Sequence, residues 1–293
     1  MKTILLIMAL TVVGRFSGMA APLTESTFTE IINEVNTLAA DGNATPAKMT
    51  EVLKAPERVR TGPQSRAELT APDETITRVG ANTVFSYADS GRTLNLEQGN
   101  VLFHAPKGLG GGTIKSGGAA AAVLGTTLIV SATTGGGFKV ILLEGRGQVT
   151  LPNGNSVTLL AGQLVFVLPG GTTFSPVLNI NLGKLVDGSQ LVKGFSHELA
   201  SLPLILTAIK DQNSKLKSGS AVDTGRSPGN YLNPPTPGNG FNTLTPGTYQ
   251  IAVPQPFSSD QYNNAVSGPP GSKPASPGGT GGRGIVITTG PVG

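Results

Sequence analysis

The chain has 293 residues, a formal charge of +4 at pH 7, and neither cysteine nor tryptophan. The lack of cysteine excludes disulfides and thiolate metal sites, so an ordinary apolar core must stabilise the fold. The basic residues are scattered rather than clustered, which argues against a nucleic-acid partner.

Residues 1–20 have the pattern of a secretory signal peptide. Lys2 precedes an apolar run, and small residues follow up to Ala20, where we expect cleavage. Arg15 interrupts the apolar run before it reaches the roughly 18 residues of a membrane anchor, and no later segment is apolar enough to span a bilayer. The sequence therefore predicts a soluble, periplasmic or secreted protein with no transmembrane segment in the mature chain.

Residues 21–56 are predicted to form an N-terminal helical segment. Thr24–Ala40 carries five apolar residues whose spacing places them on one helical face; they are Phe28, Ile31, Ile32, Val35 and Leu38. Thr24 or Ser26 is suited to cap this helix. A further helical turn or two is expected over Ala47–Leu53, after Pro46.

Residues 57–171 change to a period of two and are predicted to form a β domain. Short β-prone runs such as RAELT, TVFSYA, RTLNLE and NVLFHA each end at a turn signal, the last three at DSG, QGN and PKG. Asn153-Gly154 predicts a hairpin with a two-residue turn. Many short, evenly spaced strands are typical of an antiparallel sandwich or barrel.

Residues 172–217 return to a helical pattern, and residues 218–293 become rich in proline and glycine. The leucines between Leu178 and Lys217 predict a helical hairpin on one face or end of the sheet. The last 76 residues have too few apolar residues to offset their ordering entropy, which predicts a disordered tail. One exception is the β-prone run Ile285–Thr289, which could add to a sheet edge in this chain or in a partner.

The glycine-rich stretches do not fit a phosphate-binding loop. Gly110–Ser116 has Ile114 where the motif requires glycine before Lys115, and a further β-prone run follows it instead of a helix. Gly135–Gly137 leads directly into a strand pattern. We interpret both as turns between strands and expect no cofactor.

No catalytic or metal-binding constellation is evident in the sequence. His104 and His197 are the only histidines, and we expect one buried and one exposed structural histidine. There is no Gly-x-Ser-x-Gly motif, and Ser214–Lys217 is a solvated helix end. Glu144 is the best single candidate for a special role, although a strand-end carboxylate that accepts bonds from turn amides explains it equally well. These observations predict a protein that is not an enzyme.

Three motifs in the β segment resemble the FecR domain family. The first motif contains Arg60, Gly62, Ser65 and Arg66, in RTGPQSRAEL. The second is Leu124-Gly125-Thr126-Thr127, with Leu128 in place of the family's aromatic residue. The third is Leu143-Glu144-Gly145, followed by Val157-Thr158-Leu159 and Ala161-Gly162-Gln163. The resemblance covers about Val59 to Gly171 and implies a jelly-roll-like sandwich with a protein partner.

The FecR regulator itself relays an iron-siderophore signal across the inner membrane. This sequence lacks its cytoplasmic anti-sigma segment and internal transmembrane helix, so we expect recognition or scaffolding at the cell envelope instead. We expect binding to use a sheet edge or one of two turns, Asp89–Arg92 and Lys107–Gly112. A carbohydrate-binding or carbohydrate-cleaving jelly roll is the alternative, but Tyr231, Tyr249 and Tyr262 all fall in the predicted tail. A surface or matrix component with the tail as a spacer is a third hypothesis. The sequence does not specify the oligomeric state.

Overall fold

The computed structural model of the chain describes residues 21–168, 170–223 and 249–251. The predicted signal peptide and most of the predicted tail lie outside this range. The strands are β1 (Glu25–Ile32), β2 (Val35–Leu38), β3 (Ala44–Pro46), β4 (Val52–Lys54), β5 (Arg58–Thr61), β6 (Arg66–Thr70), β7 (Ile76–Val79), β8 (Val84–Tyr87), β9 (Thr93–His104), β10 (Gly112–Ser116), β11 (Ala119–Val123), β12 (Thr127–Ala132), β13 (Phe138–Glu144), β14 (Arg146–Thr150), β15 (Ser156–Leu160), β16 (Gln163–Val167), β17 (Leu178–Asn179), β18 (Ala221–Asp223) and β19 (Tyr249–Ile251). The helices are α1 (Leu182–Gly188), α2 (Gln190–Lys193) and α3 (Leu202–Lys217).

Strands β1 to β17 form two sheets, and β9 takes part in both. Sheet A has the order β4-β1-β6-β7-β9-β12-β13-β16-β17 and is antiparallel throughout. Sheet B has the order β3-β2-β5-β8-β9-β10-β11-β14-β15 and is antiparallel except for the parallel pair β9–β10. The predicted fold class, a mainly β sandwich of jelly-roll type with flanking helices, is confirmed.

The prediction that a strand ends in a turn at Gln98-Gly99-Asn100 is wrong, because β9 continues through these three residues. Residues before Gly99 pair in sheet B and residues from Gly99 onward pair in sheet A, so β9 turns the corner between the sheets. Gly99 has φ +93°, and a Cβ there would collide with Thr83. Glycine is required at this position because the two backbones meet at the corner.

The helix predicted over Thr24–Ala40 is also wrong, since this segment forms strands β1 and β2. A register shift between Phe28 and Glu30 breaks the strict alternation of a strand, and this bulge made the apolar spacing fit a helix. Asn33 then takes a positive φ of 61° and turns the chain between the two strands. Ala47–Leu53, the second predicted helix, contains a turn and part of β4. The β region therefore starts at Glu25 instead of residue 57.

The predicted β14–β15 hairpin is present, but its turn is longer than predicted. The Leu151 N–H donates to Asn155 O and the Gly154 N–H donates to Leu151 O, which leaves a loop of three residues. Gly154 has a positive φ, whereas Asn153 does not. Pro152 accounts for the difference, because its fixed negative φ favours a type I turn followed by a left-handed glycine.

Two apolar layers form the core. One lies between the sheets and contains the buried rings of Phe28, Phe85, Phe103 and Phe138. The other lies between the outer face of sheet A and the C-terminal helices, where Ile205 of α3 is completely buried. The helices predicted after Leu178 are therefore present and lie on one face of the sheet, as expected. Within the described part of the chain, no helix is long and apolar enough to cross a membrane.

Candidate functional site

The second and third family motifs meet on sheet A. Thr127 at the start of β12 pairs with Glu144 at the end of β13, and the Thr127 hydroxyl donates to Glu144 Oε1 at 2.9 Å. The same hydroxyl lies 2.9 Å from His104 Nδ1 and 2.7 Å from Ser201 Oγ. All four residues are buried, and Ser201 is the residue that directly precedes α3.

The hydrogen-bonding capacity of the Thr127 hydroxyl is fully used in this cluster. Its single proton is shared between two acceptors, Glu144 Oε1 and Ser201 Oγ, and its oxygen accepts from His104 in the tautomer that carries the proton on Nδ1. Burial lowers the pKa of His104. Burial also raises the pKa of Glu144, against the hydrogen bond from Thr127 and the charge of Lys107. The cluster therefore holds α3 against sheet A with its polar groups paired.

The predicted role of Glu144 is thus only partly right. Its carboxylate accepts from the Thr127 side chain across the strand pair rather than mainly from turn amides. Sequence analysis missed the bonds from Thr127 to Glu144 and to Ser201, because these partners lie 17 and 74 residues from Thr127 with no local signal linking them.

The glycines of these motifs allow the loops around the cluster to approach closely. Gly125 has φ +67°, and a Cβ there would lie 2.7 Å from Lys107 Cγ. Thr126 forms hydrogen bonds to both neighbouring loops. Its backbone N–H and C=O pair with those of Ala105, and its hydroxyl donates to Arg146 O. Gly145 lies against Thr126 with φ +79°, and the Gly162 N–H donates to Leu142 O. These motif positions have structural roles.

The first motif lies at the other end of the sandwich. The Gly62 N–H donates to Glu34 O, and the Ser65 hydroxyl accepts from the Glu34 N–H, which joins this turn to the β1–β2 turn. Arg60 is exposed on β5 of sheet B. Arg66 Nε donates to Gly194 O, so this residue contacts the C-terminal helical segment.

Arg78 of β7 binds the same segment and was not predicted from the sequence. Its side chain is completely buried and pairs with Glu68 at 2.7 Å. It also donates to the carbonyl oxygens of Leu191, Val192 and His197 at 2.7–3.2 Å. We call Arg78 and Glu68, together with the residues 191–197 that Arg78 contacts, the clasp. A detectable signal was present, since an acid and a base occupy facing strands in RAELT and TITRV.

Two further contacts strengthen the clasp. The Arg78 guanidinium lies 4.4 Å from the centre of the Phe195 ring, a cation–π geometry. Glu30 accepts hydrogen bonds from the backbone and the hydroxyl of Ser196. Burial opposes ionisation of Glu30, but these bonds and the charges of His197 and Arg78 outweigh it and lower its pKa. The outer face of sheet A is therefore covered by the chain's own helices.

The turn Asp89–Arg92, which sequence analysis suggested as a binding turn, has a structural function at its last residue. Arg92 pairs with Asp73 at 2.7 Å and donates to Gly111 O and Ala21 O. The other suggested turn, Lys107–Gly112, exposes Leu109, and the neighbouring Leu124 is 74% exposed. Gly110–Ser116 forms a turn and β10, in agreement with its interpretation as a turn between strands.

His104 and His197 lie apart, one buried and the other 77% exposed, as predicted. No group of three or more metal-ligating side chains occurs among the residues that the structure describes.

Sheets A and B have four edges in the described part of the chain, and one of these edges is longer than three residues. In sheet A the edges are β4 with three residues and β17 with two; in sheet B one edge is β3, which has three residues and ends in Pro46. Short strands and proline prevent further pairing at an edge. The other edge of sheet B is β15, with five residues that pair only with β14 in the described part of the chain.

The direction of the β15 backbone groups follows from two hydrogen bonds. The Asn155 carbonyl accepts from Leu151, so Asn155, Val157 and Leu159 face β14. The Leu160 N–H points the other way and donates to Gln163 Oε1. Ser156 and Thr158 share that outward direction, and each presents an N–H and a C=O at the open edge.

The family comparison concerns the β region. Residues 57–149 match the family model described as FecR protein. The match ends before β15. No curated protein matches the chain.

Solved structures of similar proteins were also found. Two crystal structures of a candidate anti-sigma factor from Parabacteroides distasonis align with TM-scores of 0.40 and 0.41, at 20% and 19% sequence identity. The alignments cover 45% and 46% of this chain and 63% and 64% of the solved chains. This chain therefore spans less than two thirds of the length of the proteins that it matches.

Proposed function

We propose that the protein is an exported recognition or scaffolding protein of the cell envelope, which binds an extended protein segment along the edge of β15. The open backbone groups of Ser156 and Thr158 carry this proposal. A strand placed beside β15 would pair with them and continue sheet B, which is the geometry of β-strand addition.

The rest of the surface favours this edge over the other faces. The outer face of sheet A is covered by the helices that the clasp holds, and the other three edges are short. Ser156 and Thr158 are exposed, and Leu160 beside them is 46% exposed. A binding segment would thus meet free backbone groups and one apolar side chain at the same place.

Export is supported by the pattern of residues 1–20. N-terminal sequencing of protein recovered from the periplasm or the medium tests this part. We expect the mature chain to begin at Ala21, and a chain that stays in the cytoplasm with Met1 intact contradicts export.

Capture of envelope proteins by two variants of Thr158 tests the binding edge. Thr158→Pro removes the outward N–H and places a ring at the edge, whereas Thr158→Val keeps the N–H and the shape of the side chain. Because this N–H has no partner among the residues that the structure describes, both variants should unfold within about 1 kcal/mol of the natural chain. We expect Thr158→Val to capture the same partner and Thr158→Pro to lose it. Equal capture by a folded Thr158→Pro variant excludes β15 as the binding edge.

A further inference from the structure

We infer that two adjoining turns at one end of the sandwich bind the surface of a bilayer that contains anionic phospholipids. One turn joins β9 to β10 and the other joins β11 to β12. We call Leu109 and Leu124 of these turns, together with the basic residues Lys107 and Arg146 beside them, the leucine patch. The inference goes beyond the proposed function, because it assigns a second surface with a lipid partner.

The packing of the two turns brings their leucines to the same place on the surface. Gly111 follows Leu109 by two residues and lies against the other turn, where a Cβ at Gly111 would be 2.9 Å from Leu124 Cα. Leu124 is 74% exposed and Leu109 is 41% exposed. Two large apolar side chains are therefore left in water side by side, which is typical of an interaction surface.

Two basic side chains border these leucines. A Cβ at Gly125 would lie 2.7 Å from Lys107 Cγ, so Lys107 packs against the turn that carries Leu124. Arg146 lies beside the same turn, because its carbonyl oxygen accepts from the Thr126 hydroxyl. Both basic residues are exposed, and neither forms an ion pair with another residue that the structure describes. Their charges are thus available to an anionic partner.

The backbone of the turns favours a bilayer over a peptide strand as the partner. Thr126 pairs with Ala105 through both its N–H and its C=O, and the Gly111 carbonyl accepts from Arg92 Nε. An added strand would need free backbone groups at this place, and these are already bonded. Apolar side chains that enter the boundary between headgroups and acyl chains need no backbone partner.

The charges around the patch favour an anionic bilayer over a neutral one. Two acids lie near these turns, and neither offsets the exposed charges of Lys107 and Arg146. Asp73 is paired with Arg92 at 2.7 Å, and Glu144 is only 4% exposed. The surface presented to a bilayer is therefore apolar at its centre and positive at its border, as in proteins that bind anionic membranes peripherally.

The expected strength of binding follows from the exposed areas and the charges. Removal of an exposed leucine from water strengthens binding in proportion to its exposed area, by about tenfold for Leu124 and about fivefold for Leu109. Each of the two basic residues adds about fivefold near an anionic surface. The product is a partition coefficient on the order of 10³ M⁻¹, which is weaker than that of a single myristoyl chain and therefore reversible.

Sedimentation of the full chain with lipid vesicles tests the inference. Vesicles of phosphatidylcholine with about one third phosphatidylglycerol are compared with vesicles of phosphatidylcholine alone, to which the natural chain should bind about 25-fold more weakly. We expect Leu124→Ser to weaken binding to the anionic vesicles about tenfold and Lys107→Gln to weaken it about fivefold. The matched controls Leu168→Ser and Lys193→Gln change exposed residues at the other end of sheet A and should bind like the natural chain.

A second leucine variant keeps the test independent of one turn. Leu109→Ser should weaken binding about fivefold, so a folding defect in Leu124→Ser, seen as a lowered melting temperature, does not decide the result. Every variant is made in the full chain, so that any contribution of other segments to sedimentation is common to all of them.

Three results would overturn the inference. The first is no sedimentation of the natural chain at about 5 mM anionic lipid, where most of it should be bound. The second is equal binding by Leu124→Ser, Leu109→Ser and the control Leu168→Ser. The third is loss of a protein partner by the folded leucine variants without any binding to vesicles, which would make the patch a protein interface. Partner capture by the Thr158 variants is measured without lipid, so failure of this inference and failure of the proposed function are distinguishable.

Discussion

Replacement of Arg78 by methionine should release the C-terminal helices from sheet A. The substitution keeps an apolar stem of similar length but removes the guanidinium, leaving the buried Glu68 carboxylate without its 2.7 Å partner. Three backbone carbonyls, those of Leu191, Val192 and His197, lose their donor as well. Removal of one member of a buried ion pair costs about 3–5 kcal/mol, and we expect a loss of unfolding free energy in that range.

Urea unfolding followed by circular dichroism measures this loss, since the chain has no tryptophan. Amide exchange locates it: protection should fall over residues 190–217 before it falls in the strands. The double variant Arg78→Met/Glu68→Gln should recover at least about 1 kcal/mol, because no buried charge then lacks a partner. A loss below about 1 kcal/mol, with unchanged protection over residues 190–217, would refute the role of the clasp.

Three further predictions concern single residues. Gly99→Ala should unfold at a much lower temperature than the control Gly136→Ala. A Cβ at Gly99 would collide with Thr83, whereas a Cβ at Gly136, which also has a positive φ, would meet open space. Equal melting temperatures of the two variants would contradict the close approach of the backbones at Gly99. His104→Gln should weaken the pH dependence of the unfolding free energy. Burial lowers the pKa of His104, so the stabilisation from the neutral ring is complete above the ordinary pKa of 6.5 and is lost as the pH falls below that value. Urea midpoints at several pH values measure this loss. Glu144→Gln should become more stable relative to the natural chain as the pH rises above 4.5, because burial raises the pKa of Glu144 and ionisation of this carboxyl opposes folding. A difference in unfolding free energy between the two proteins that does not change with pH would contradict this prediction.

Periodicity and turn chemistry predicted most of the sandwich. From Arg66 onward, strands with one buried face show a clear period of two, and the DSG and PKG turn signals fall between strands as expected. The errors occur where tertiary structure changes the local pattern. The bulge at Phe28–Glu30 imitates helical spacing, and Gly99 turns a corner within one strand instead of ending it.

The polar contacts of the candidate site could be predicted only in part. The motifs indicated Thr127 and Glu144, which do meet, but not their function in holding α3. The clasp was missed because Arg78 contacts residues more than a hundred positions away, as in its 2.7 Å bond to His197 O. The open edge of β15 depends on the pairing of all the strands, which no single segment of the sequence specifies.

Amide exchange at Ser156 and Thr158 in complex with a captured partner is the most direct test of the proposed recognition edge. We predict that both outward N–H groups exchange rapidly in the free protein and slowly in the complex, while Val157 and Leu159 exchange slowly in both. Rapid exchange of Ser156 and Thr158 in a saturated complex would show that the partner binds elsewhere.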